Sequence, residues 1–212
     1  MSERAVDLAI AALPLSPEAL VVDTGCGSGE ILLRTLKWHH SARGLGVDLD
    51  ADAIAEARHR ADGLPARFEV RDAASVDGRF DAVINVGSSH ALGGFPIVLE
   101  ALGALAPVAL YGEGFWQRPP SKDFLAALGG ASADELPDLD GLRAAIDEAG
   151  FRILHESVAS ASDWARYEET LAANAERDGA PDTLAYAQRI RDRRALFDGS
   201  DTLGFALLVL QR

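Results

Sequence analysis

Cysteine is nearly absent from this chain of 212 residues, and Cys26 is its only example. An intrachain disulfide is therefore impossible, and no cysteine pattern argues for secretion into an oxidising compartment. The amino terminus lacks the basic start and continuous apolar core of a signal peptide. No apolar run reaches the roughly 18 residues that a membrane-spanning helix needs. These absences predict a cytoplasmic protein with no membrane partner.

Positive charge is also scarce, with 20 lysines and arginines against 33 aspartates and glutamates and a formal net charge of −13 at pH 7. A surface this acidic repels the phosphate backbone of nucleic acids over the range of electrostatic screening. The sequence also contains no Walker loop, no Ser-His-Asp set and no metal-ligand spacing. We therefore expect a small-molecule partner, no nucleic acid and no metal.

Glycine, in contrast, is concentrated where the first apolar strand ends. Residues 20–33 read LVVDTGCGSGEILL, with Asp23 at the strand end and Gly25, Gly27 and Gly29 at a spacing of two. Glycine admits positive φ angles and leaves room for a ligand beside the backbone, while the start of the next helix offers free N–H groups. The strand, turn and helix predict a ligand-binding loop.

This D-x-G-x-G-x-G segment resembles the nucleotide-binding loop of the class I S-adenosylmethionine-dependent methyltransferases. It departs from the dinucleotide pattern G-x-G-x-x-G, because its third glycine comes one residue earlier. Residues 112–116, GEGFW, resemble the Gly-Glu-x-aromatic-Trp segment of bacterial small-molecule methyltransferases, with Gly114 in place of the expected proline. The resemblance covers residues 20–116 and implies S-adenosylmethionine as cofactor and S-adenosylhomocysteine as product.

The predicted cofactor site extends beyond the loop. Asp48 ends the second strand 19 residues after Gly29, a spacing at which a carboxylate accepts hydrogen bonds from ribose hydroxyls. The alternative is that Asp48 only caps the following helix. The resemblance places Leu49 against the adenine ring and Asp72 and Ala73 at its polar edge. The complete predicted cofactor set is Asp23, Gly25, Cys26, Gly27, Gly29, Asp48, Leu49, Asp72, Ala73, Asn85 and Gly87.

The acceptor site is predicted in the segments that follow the fourth and fifth strands. His90 and Glu113 are the titratable groups at this edge, and they are the predicted catalytic residues if the acceptor arrives protonated. The predicted substrate-binding residues are Ser89, His90, Glu113, Trp116, Trp164 and Tyr167. Simpler roles remain open: His90 packing within its loop, Glu113 bonding loop amides, and Trp116 anchoring a loop.

Alternating strands and helices, with the resemblance, predict an α/β three-layer sandwich. Its seven-stranded, mostly parallel Rossmann-like sheet has the order 3-2-1-4-5-7-6, with strand 7 antiparallel. We expect one domain over residues 1–212, with a helical insertion at 160–200 between strands 6 and 7. Ser162 and Asp182 are the expected caps of its two helices, and Gly199 its end. Trp164, Tyr167 and Leu171 share one helix face, either as a lid or as a packing surface.

The predicted function is S-adenosylmethionine-dependent methyl transfer to a small molecule by in-line displacement. The alternatives are an NAD(P)-dependent oxidoreductase and a non-catalytic S-adenosylmethionine-binding regulator. Asn85 is followed by Val86 and Gly87 rather than by Pro-Pro-Tyr/Phe, which disfavours DNA and protein-glutamine acceptors. The acceptor atom and the oligomeric state remain open.

Overall fold

The computed structural model describes residues 1–197 and 202–212. Its strands form one seven-stranded sheet in the order β3-β2-β1-β4-β5-β7-β6. The strands are β1 Leu20–Thr24, β2 Arg43–Asp48, β3 Ala66–Val70, β4 Ala82–Val86, β5 Val108–Trp116, β6 Arg152–Val158 and β7 Leu203–Gln211. The helices are α1 Glu3–Ala11, α2 Glu30–Trp38, α3 Ala51–Arg60, α4 Ile97–Leu105, α5 Lys122–Ala127, α6 Leu139–Glu148, α7 Ala161–Asp178 and α8 Pro181–Phe197.

The predicted fold class and strand order are confirmed, including the antiparallel seventh strand. Strand β1 pairs in parallel with β2 on one side and with β4 on the other. Strands β2 and β3 lie on one side of β1, and β4 and the later strands lie on the other side. Ligands of such sheets bind outside the carboxyl ends of the strands at the point where the strand order changes side, here between β1 and β4. This topology brings the glycine loop after β1 and the segment after β4 to the same edge.

The chain divides into two compact units. The larger unit comprises Glu3–Glu113, Arg143–Ser157 and Leu207–Arg212, and it contains β1 to β4 and the glycine loop. The smaller unit comprises Met1–Ser2, Gly114–Leu142 and Val158–Ala206, and it contains α7 and α8. The single domain over residues 1–212 stays a prediction.

Central strands of the larger unit are buried on both faces, which explains their continuous apolar sequences. In β1, Val21 and Val22 are fully buried, as are Val83 and Ile84 in β4. Because such a strand has no solvent face, its sequence does not alternate and its ends are marked by polar residues or glycine. In β1, Asp23 and Thr24 are the polar residues that mark the end of the strand.

The apolar runs 80–86 and 108–111 predict the fourth and fifth strands, and one boundary of each differs in the structure. Strand β4 begins at Ala82 rather than Phe80, because Phe80 and Asp81 form an entry segment in which Asp81 accepts the Leu20 N–H at 2.7 Å. Strand β5 continues to Trp116 rather than ending at Tyr111, so Glu113 and Trp116 lie within the strand. The glycines that interrupt its apolar pattern do not break its extended backbone.

The predicted insertion forms the two helices α7 and α8, with different caps from those expected. Ser160, not Ser162, caps α7 through a capping box: its hydroxyl accepts the Asp163 N–H, and the Asp163 carboxylate accepts the Ser160 N–H. Helix α8 begins at Pro181, which suits the first helical position, so Asp182 lies in the first turn. Residues 198–200, with the predicted end at Gly199, lie outside the described residues.

Small apolar side chains join the two helices of the insertion. Ala172 and Ala175 of α7 cluster with Ala187 and Ile190 of α8, and Leu171 packs against this cluster. In the described parts of the chain, residues 1–197 and 202–212, no helix has the length and apolarity that crossing a membrane requires.

Candidate active site

Backbone hydrogen bonds fold the glycine loop onto the end of β2. The amides of Gly25 and Cys26 both donate to the Val47 carbonyl, at 2.9 and 3.0 Å, and the Gly29 amide donates to the Cys26 carbonyl at 2.9 Å. The three glycines have φ angles of 76°, 51° and 77°, in the left-handed region that glycine adopts without strain. The loop therefore has a fixed path before any ligand binds.

Each glycine of the loop has a different neighbour. A Cβ at Gly25 would lie 2.5 Å from the Ser88 Cβ, and a Cβ at Gly29 would lie 2.7 Å from the Phe68 ring. These two positions are glycine because the protein itself occupies the space. A Cβ at Gly27 would meet nothing within 4 Å. Gly27 therefore presents bare backbone to open space, where a ligand can approach it closely.

Asp48 connects the end of β2 to this exposed glycine. Its Oδ2 accepts the Gly27 N–H at 2.7 Å and its Oδ1 accepts the Asp50 N–H at 3.0 Å. Asp50 caps α3, because its carboxylate accepts the amides of Asp52 and Ala53 at 2.9 and 3.1 Å. The helix cap is thus a different residue from the carboxylate at the glycine loop.

A second carboxylate, Asp23, is buried beneath the loop, with 3% of its surface exposed. Burial raises the pKa of Asp23 to about 8, the negative charge of Asp48 contributes to that rise, and a hydrogen bond with the Leu32 backbone opposes both. Burial and the same two carboxylates also raise the pKa of the Cys26 thiol above its usual range. Cys26 is therefore a protonated thiol, and a cation near the loop would favour ionisation of Asp23.

Exposed apolar side chains stand at the ends of β2 and β3. Leu49 is 71% exposed and Val70 is 50% exposed, and Val70 is the register partner of Asp48. Asp72 caps a short 3-10 turn, where its Oδ1 accepts the Ala74 N–H at 2.9 Å, and Ala73 is buried within that turn. This edge offers a flat apolar ligand two side chains on which to pack.

Asn85 joins the ends of β1 and β4 through its buried side chain. Its Nδ2 lies 3.1 Å from both the carbonyl and the hydroxyl of Thr24 and 3.3 Å from the Ser88 carbonyl. The Ser88 hydroxyl donates to the Thr24 carbonyl at 2.7 Å. The Asn85 Oδ1 is buried and has no hydrogen-bond partner among the described residues. A buried acceptor without a partner is costly, so this atom marks a place for a ligand donor.

Glu113 is held within β5 by Tyr111. The Tyr111 hydroxyl donates to the Glu113 Oε2 at 2.7 Å, and both side chains are buried. Burial, the charge of Glu113 and this hydrogen bond raise the pKa of Tyr111 above its usual range, so Tyr111 remains a donor. Beside them the Gly87 amide donates to the Gly112 carbonyl at 2.9 Å, and a Cβ at Gly87 would meet nothing within 4 Å.

The segment after β4 presents the other predicted catalytic residue to solvent. His90 is exposed in the short 3-10 turn Ser89–Leu92, and Ser89 is half-buried. Within the described residues, no group of three or more His, Cys, Asp or Glu side chains could hold a metal ion.

The remaining predicted substrate residues lie in the smaller unit. Trp116 is 7% exposed, its Nε1 donates to the Ala133 carbonyl at 2.8 Å, and its ring meets Phe124 edge-on at 6.4 Å. The rings of Trp164 and Tyr167 lie 5.5 Å apart on α7, as their spacing predicts. Burial raises the pKa of Tyr167, and nearby Tyr186 and Glu168 raise it further.

Comparison with known proteins places this geometry in a family. Residues 21–105 match the family model described as a methyltransferase domain. The chain is 32% identical over 166 residues to the uncharacterized protein YjhP of Escherichia coli K12, covering 74% of this chain and 66% of YjhP. The X-ray structure of YjhP has a TM-score of 0.87 at 25% identity and covers 100% of this chain and 94% of that one.

Two further structures carry the product of the cofactor. The S-adenosylmethionine-dependent methyltransferase from Geobacter sulfurreducens, in complex with S-adenosyl-L-homocysteine, has a TM-score of 0.87 at 25% identity, covering 100% of this chain and 92% of that one. The corresponding complex from Thiobacillus denitrificans has a TM-score of 0.85 at 26% identity, with the same two coverages. The chain belongs to the class I S-adenosylmethionine-dependent methyltransferase superfamily.

In this methyltransferase fold, three side chains of the candidate site are not predicted from the sequence: Thr24, Ser88 and Tyr111. Tyr111 precedes Glu113 by two residues and shares its face, but this signal depends on β5 continuing to Glu113, beyond the predicted end of the strand. The sequence gives no signal for Thr24 and Ser88, since threonine and serine are common beside glycine turns for many structural reasons.

Several predicted residues come together in the larger unit of the chain. The loop glycines, Asp23 and Asp48 meet at the end of β1, and Asn85 meets the residues after β4. The roles of all predicted cofactor, catalytic and substrate residues stay predictions, those of Trp116, Trp164 and Tyr167 in the smaller unit included.

Proposed function

We propose that this protein transfers a methyl group from S-adenosylmethionine to a small-molecule acceptor. The observation that carries the proposal is the contact of the Asp48 carboxylate with the Gly27 amide, at 2.7 Å, beside bare backbone that faces open space. A carboxylate placed there can accept hydrogen bonds from ribose hydroxyls while the glycine allows the rest of the cofactor to approach. The S-adenosylhomocysteine complexes of two similar chains support the same ligand.

The residues at this edge fit the chemical groups of the cofactor. Asp48 has lone pairs beyond those used by the two amides, and they suit the ribose hydroxyls. The unpartnered Asn85 Oδ1 suits a hydroxyl or ammonium donor. The exposed Leu49 side chain suits a face of the adenine ring, and Asp72 suits its amino group.

Charge also matches the cofactor. When bound, S-adenosylmethionine supplies an electrophilic methyl group on a cationic sulfonium, and its leaving group needs no proton. Asp48 places negative charge next to the loop, and a cation there lowers the pKa that burial has raised at Asp23. We expect cofactor binding to be coupled to loss of a proton from Asp23.

The residues of this chain would act by alignment and proton removal. The glycine loop would hold the cofactor, and the residues after β4 and β5 would hold the acceptor, at the distance and angle that in-line displacement requires. His90 is exposed and near the end of β4, where it can take a proton from an amine, phenol or thiol acceptor. Glu113, oriented by Tyr111, can hold a cationic acceptor or act as the base itself.

A small acceptor is favoured over a polynucleotide by the charge of the chain. With a formal net charge of −13, its surface opposes the long phosphate backbone that nucleic-acid methyltransferases bind. A small molecule meets only the local charges of the site.

Calorimetry with S-adenosylhomocysteine tests the cofactor assignment. We expect Asp48→Asn to weaken binding at least tenfold, since charge-assisted hydrogen bonds contribute about 1.5–3 kcal/mol each and water replaces part of that. Asp52→Asn is the matched control, because it removes the same charge from an exposed position of α3. Equal affinities for the two variants would remove Asp48 from the cofactor site.

Two outcomes separate the alternative functions from methyl transfer. Binding of NADH in place of S-adenosylhomocysteine would indicate an oxidoreductase. S-adenosylmethionine binding without labelling of any compound in a metabolite pool supplied with labelled methyl donor would indicate a regulator. We expect instead that label appears in a small molecule.

Substitution of His90 tests the proton-transfer step. We expect His90→Asn to lower turnover about 10²- to 10⁴-fold, to abolish the acidic limb of the pH–rate profile and to leave S-adenosylhomocysteine affinity unchanged. His59→Asn, at an exposed position of α3, is the control for loss of a histidine. Unchanged turnover and pH profile in His90→Asn would leave catalysis to alignment alone or to Glu113.

A further inference from the structure

A second cleft lies at the opposite end of the parallel strands from the glycine loop. It has a volume of about 470 Å³ and is lined by the first residues of β1, β2 and β3 and by Phe80. That volume lies within the range of about 300–1,000 Å³ typical of small-molecule sites. Because a strand of five residues spans about 16 Å, the cleft is separate from the edge assigned above to the cofactor.

Two arginines share the sheet face that lines this cleft. A Cβ at Gly44 would meet the Leu32 side chain of α2 at 2.8 Å, so its neighbours in β2, Arg43 and Leu45, face away from α2. Leu45 is the register partner of Arg67 in β3, so Arg67 faces the same way. With an offset of two residues and one strand spacing, the Cα atoms of Arg43 and Arg67 lie about 8 Å apart. Both guanidinium groups can therefore reach one anion.

Neither arginine has a side-chain hydrogen bond or ion pair within residues 1–197 and 202–212. Other arginines of the chain, such as Arg34 and Arg193, contact carboxylates. The acidic residue of the cleft, Glu69, lies 3.9 Å from Arg71, which also contacts Asp77 at 3.1 Å. The cleft thus combines two uncommitted positive charges with one carboxylate that has a cation beside it.

The floor of the cleft is apolar. Leu20 is 40% exposed, and Leu45, Leu64 and Phe80 are half-buried along it. Guanidinium groups bind phosphate through paired hydrogen bonds, and two of them match the double charge of a phosphate monoester. A purely inorganic anion would leave this apolar surface in water.

We propose that the cleft binds a small organic phosphate, with its phosphate between Arg43 and Arg67 and its apolar body on Leu20 and Phe80. The net charge of −13 opposes any anion, so the affinity depends on these two arginines and on burial of the apolar body. The site is independent of the proposed methyl transfer, and its test needs no cofactor.

Phenyl phosphate is the probe, titrated into the full chain while amide chemical shifts are recorded. We expect shifts at Gly44 and Ala66 and none at Gly27. Arg43→Gln and Arg67→Gln should each weaken binding at least fivefold, and the double variant at least twentyfold. Arg4→Gln, which removes one positive charge from an exposed position of α1, should leave the affinity unchanged. Thermal melting of each variant confirms that it is folded.

Inorganic phosphate and phenol separate the two contributions to the affinity, because inorganic phosphate lacks the apolar body of phenyl phosphate and phenol lacks its charge. We expect each to bind at least fivefold more weakly than phenyl phosphate. Equal binding of inorganic phosphate, or equal binding by the double variant, would overturn the proposal. Shifts at Gly27 would assign the anion to the glycine loop instead. A change of oligomeric state on substituting the two arginines would indicate that a second copy of the chain occupies the cleft.

Discussion

The glycine loop after β1 and the α7–α8 hairpin are held together by different kinds of interaction. The loop is fixed by backbone amides on the Val47 carbonyl and the Asp48 carboxylate, with glycines where side chains would collide. The hairpin is joined by alanines, one isoleucine and ion pairs between its helices. Glu168 pairs with Arg193 and Arg194, Glu169 with Arg194, and Glu176 with Arg191.

This difference separates two ways of specifying a structure. In the loop, Gly25 and Gly29 must have no side chain, because neighbouring residues fill the space that a Cβ would take, so very few residue types are tolerated there. In the hairpin, the apolar cluster is small and the pairing of the helices depends on complementary charge. Glu168 and Arg193 form a mostly buried ion pair at 2.6 Å. Removing either partner would leave the other charge buried without a counter-charge, which would destabilise the hairpin.

The largest expected effect comes from adding one methyl group to the loop. Gly29→Ala should lower the free energy of unfolding by about 2–5 kcal/mol, because it combines a left-handed backbone with a contact of 2.7 Å to the buried Phe68 ring. Gly27→Ala has the same backbone cost but no collision, so it should lose only about 1–2 kcal/mol. Denaturant unfolding measures both.

The same pair of variants distinguishes a glycine that is required by packing from a glycine that lets a ligand approach the backbone. Gly27→Ala should weaken S-adenosylhomocysteine binding although it destabilises the protein less. Equal stability of the two variants would show that the Phe68 ring yields and that Gly29 is not fixed by packing.

A smaller effect is expected from removing one charge in the hairpin. Glu168→Gln should destabilise the hairpin by about 1–3 kcal/mol, because it leaves the mostly buried Arg193 without its carboxylate. Glu169→Gln, at an exposed position, should change stability by less than about 1 kcal/mol. Hydrogen exchange over residues 161–197 measures the local opening, and equal protection in both variants would contradict the comparison.

The last expected effect is a pH dependence of the stability, contributed by Asp23. Its pKa is raised to about 8 in the folded chain, so the folded state binds a proton that the unfolded chain has lost above about pH 4. The resulting stability is fully present below about pH 4 and is lost as pH rises towards 8, by up to about 1.4 kcal/mol per pH unit. Asp23→Asn should remove this slope in unfolding measured between about pH 5 and pH 7. Identical slopes in the two proteins would show that Asp23 is ionised in the folded chain.

Much of the fold is predictable from the sequence, because each of the first three strands is bounded by a chemical signal. Asp23 with the glycines ends β1, Asp48 ends β2, and Asp72 follows β3. The order of the strands comes from the resemblance rather than from periodicity, because buried strands of this kind do not show which neighbour they pair with.

The rest of the site depends on contacts that sequence spacing does not encode. The continuation of β5 through Gly112 and Gly114 is missed, because glycine usually indicates a turn and here lies in an extended strand. The cap of α7 is Ser160 rather than Ser162. The sequence does not distinguish the two serines, because both precede an acidic or helix-forming run, and only the reciprocal hydrogen bonds with Asp163 in the structure identify Ser160. The partnership of Tyr111 with Glu113 requires a longer strand than the one predicted.

Gly25 and Ser88 must be considered together in any redesign of this chain. The β-carbon missing from Gly25 would stand 2.5 Å from that of Ser88, whose hydroxyl is bonded to Thr24. A library that varies the segment after β4 to alter acceptor choice therefore also constrains the loop after β1, although 63 positions separate them in the sequence. Because position 25 is already glycine, no substitution there makes room for a larger residue at position 88, so variation of this segment is best begun at position 89.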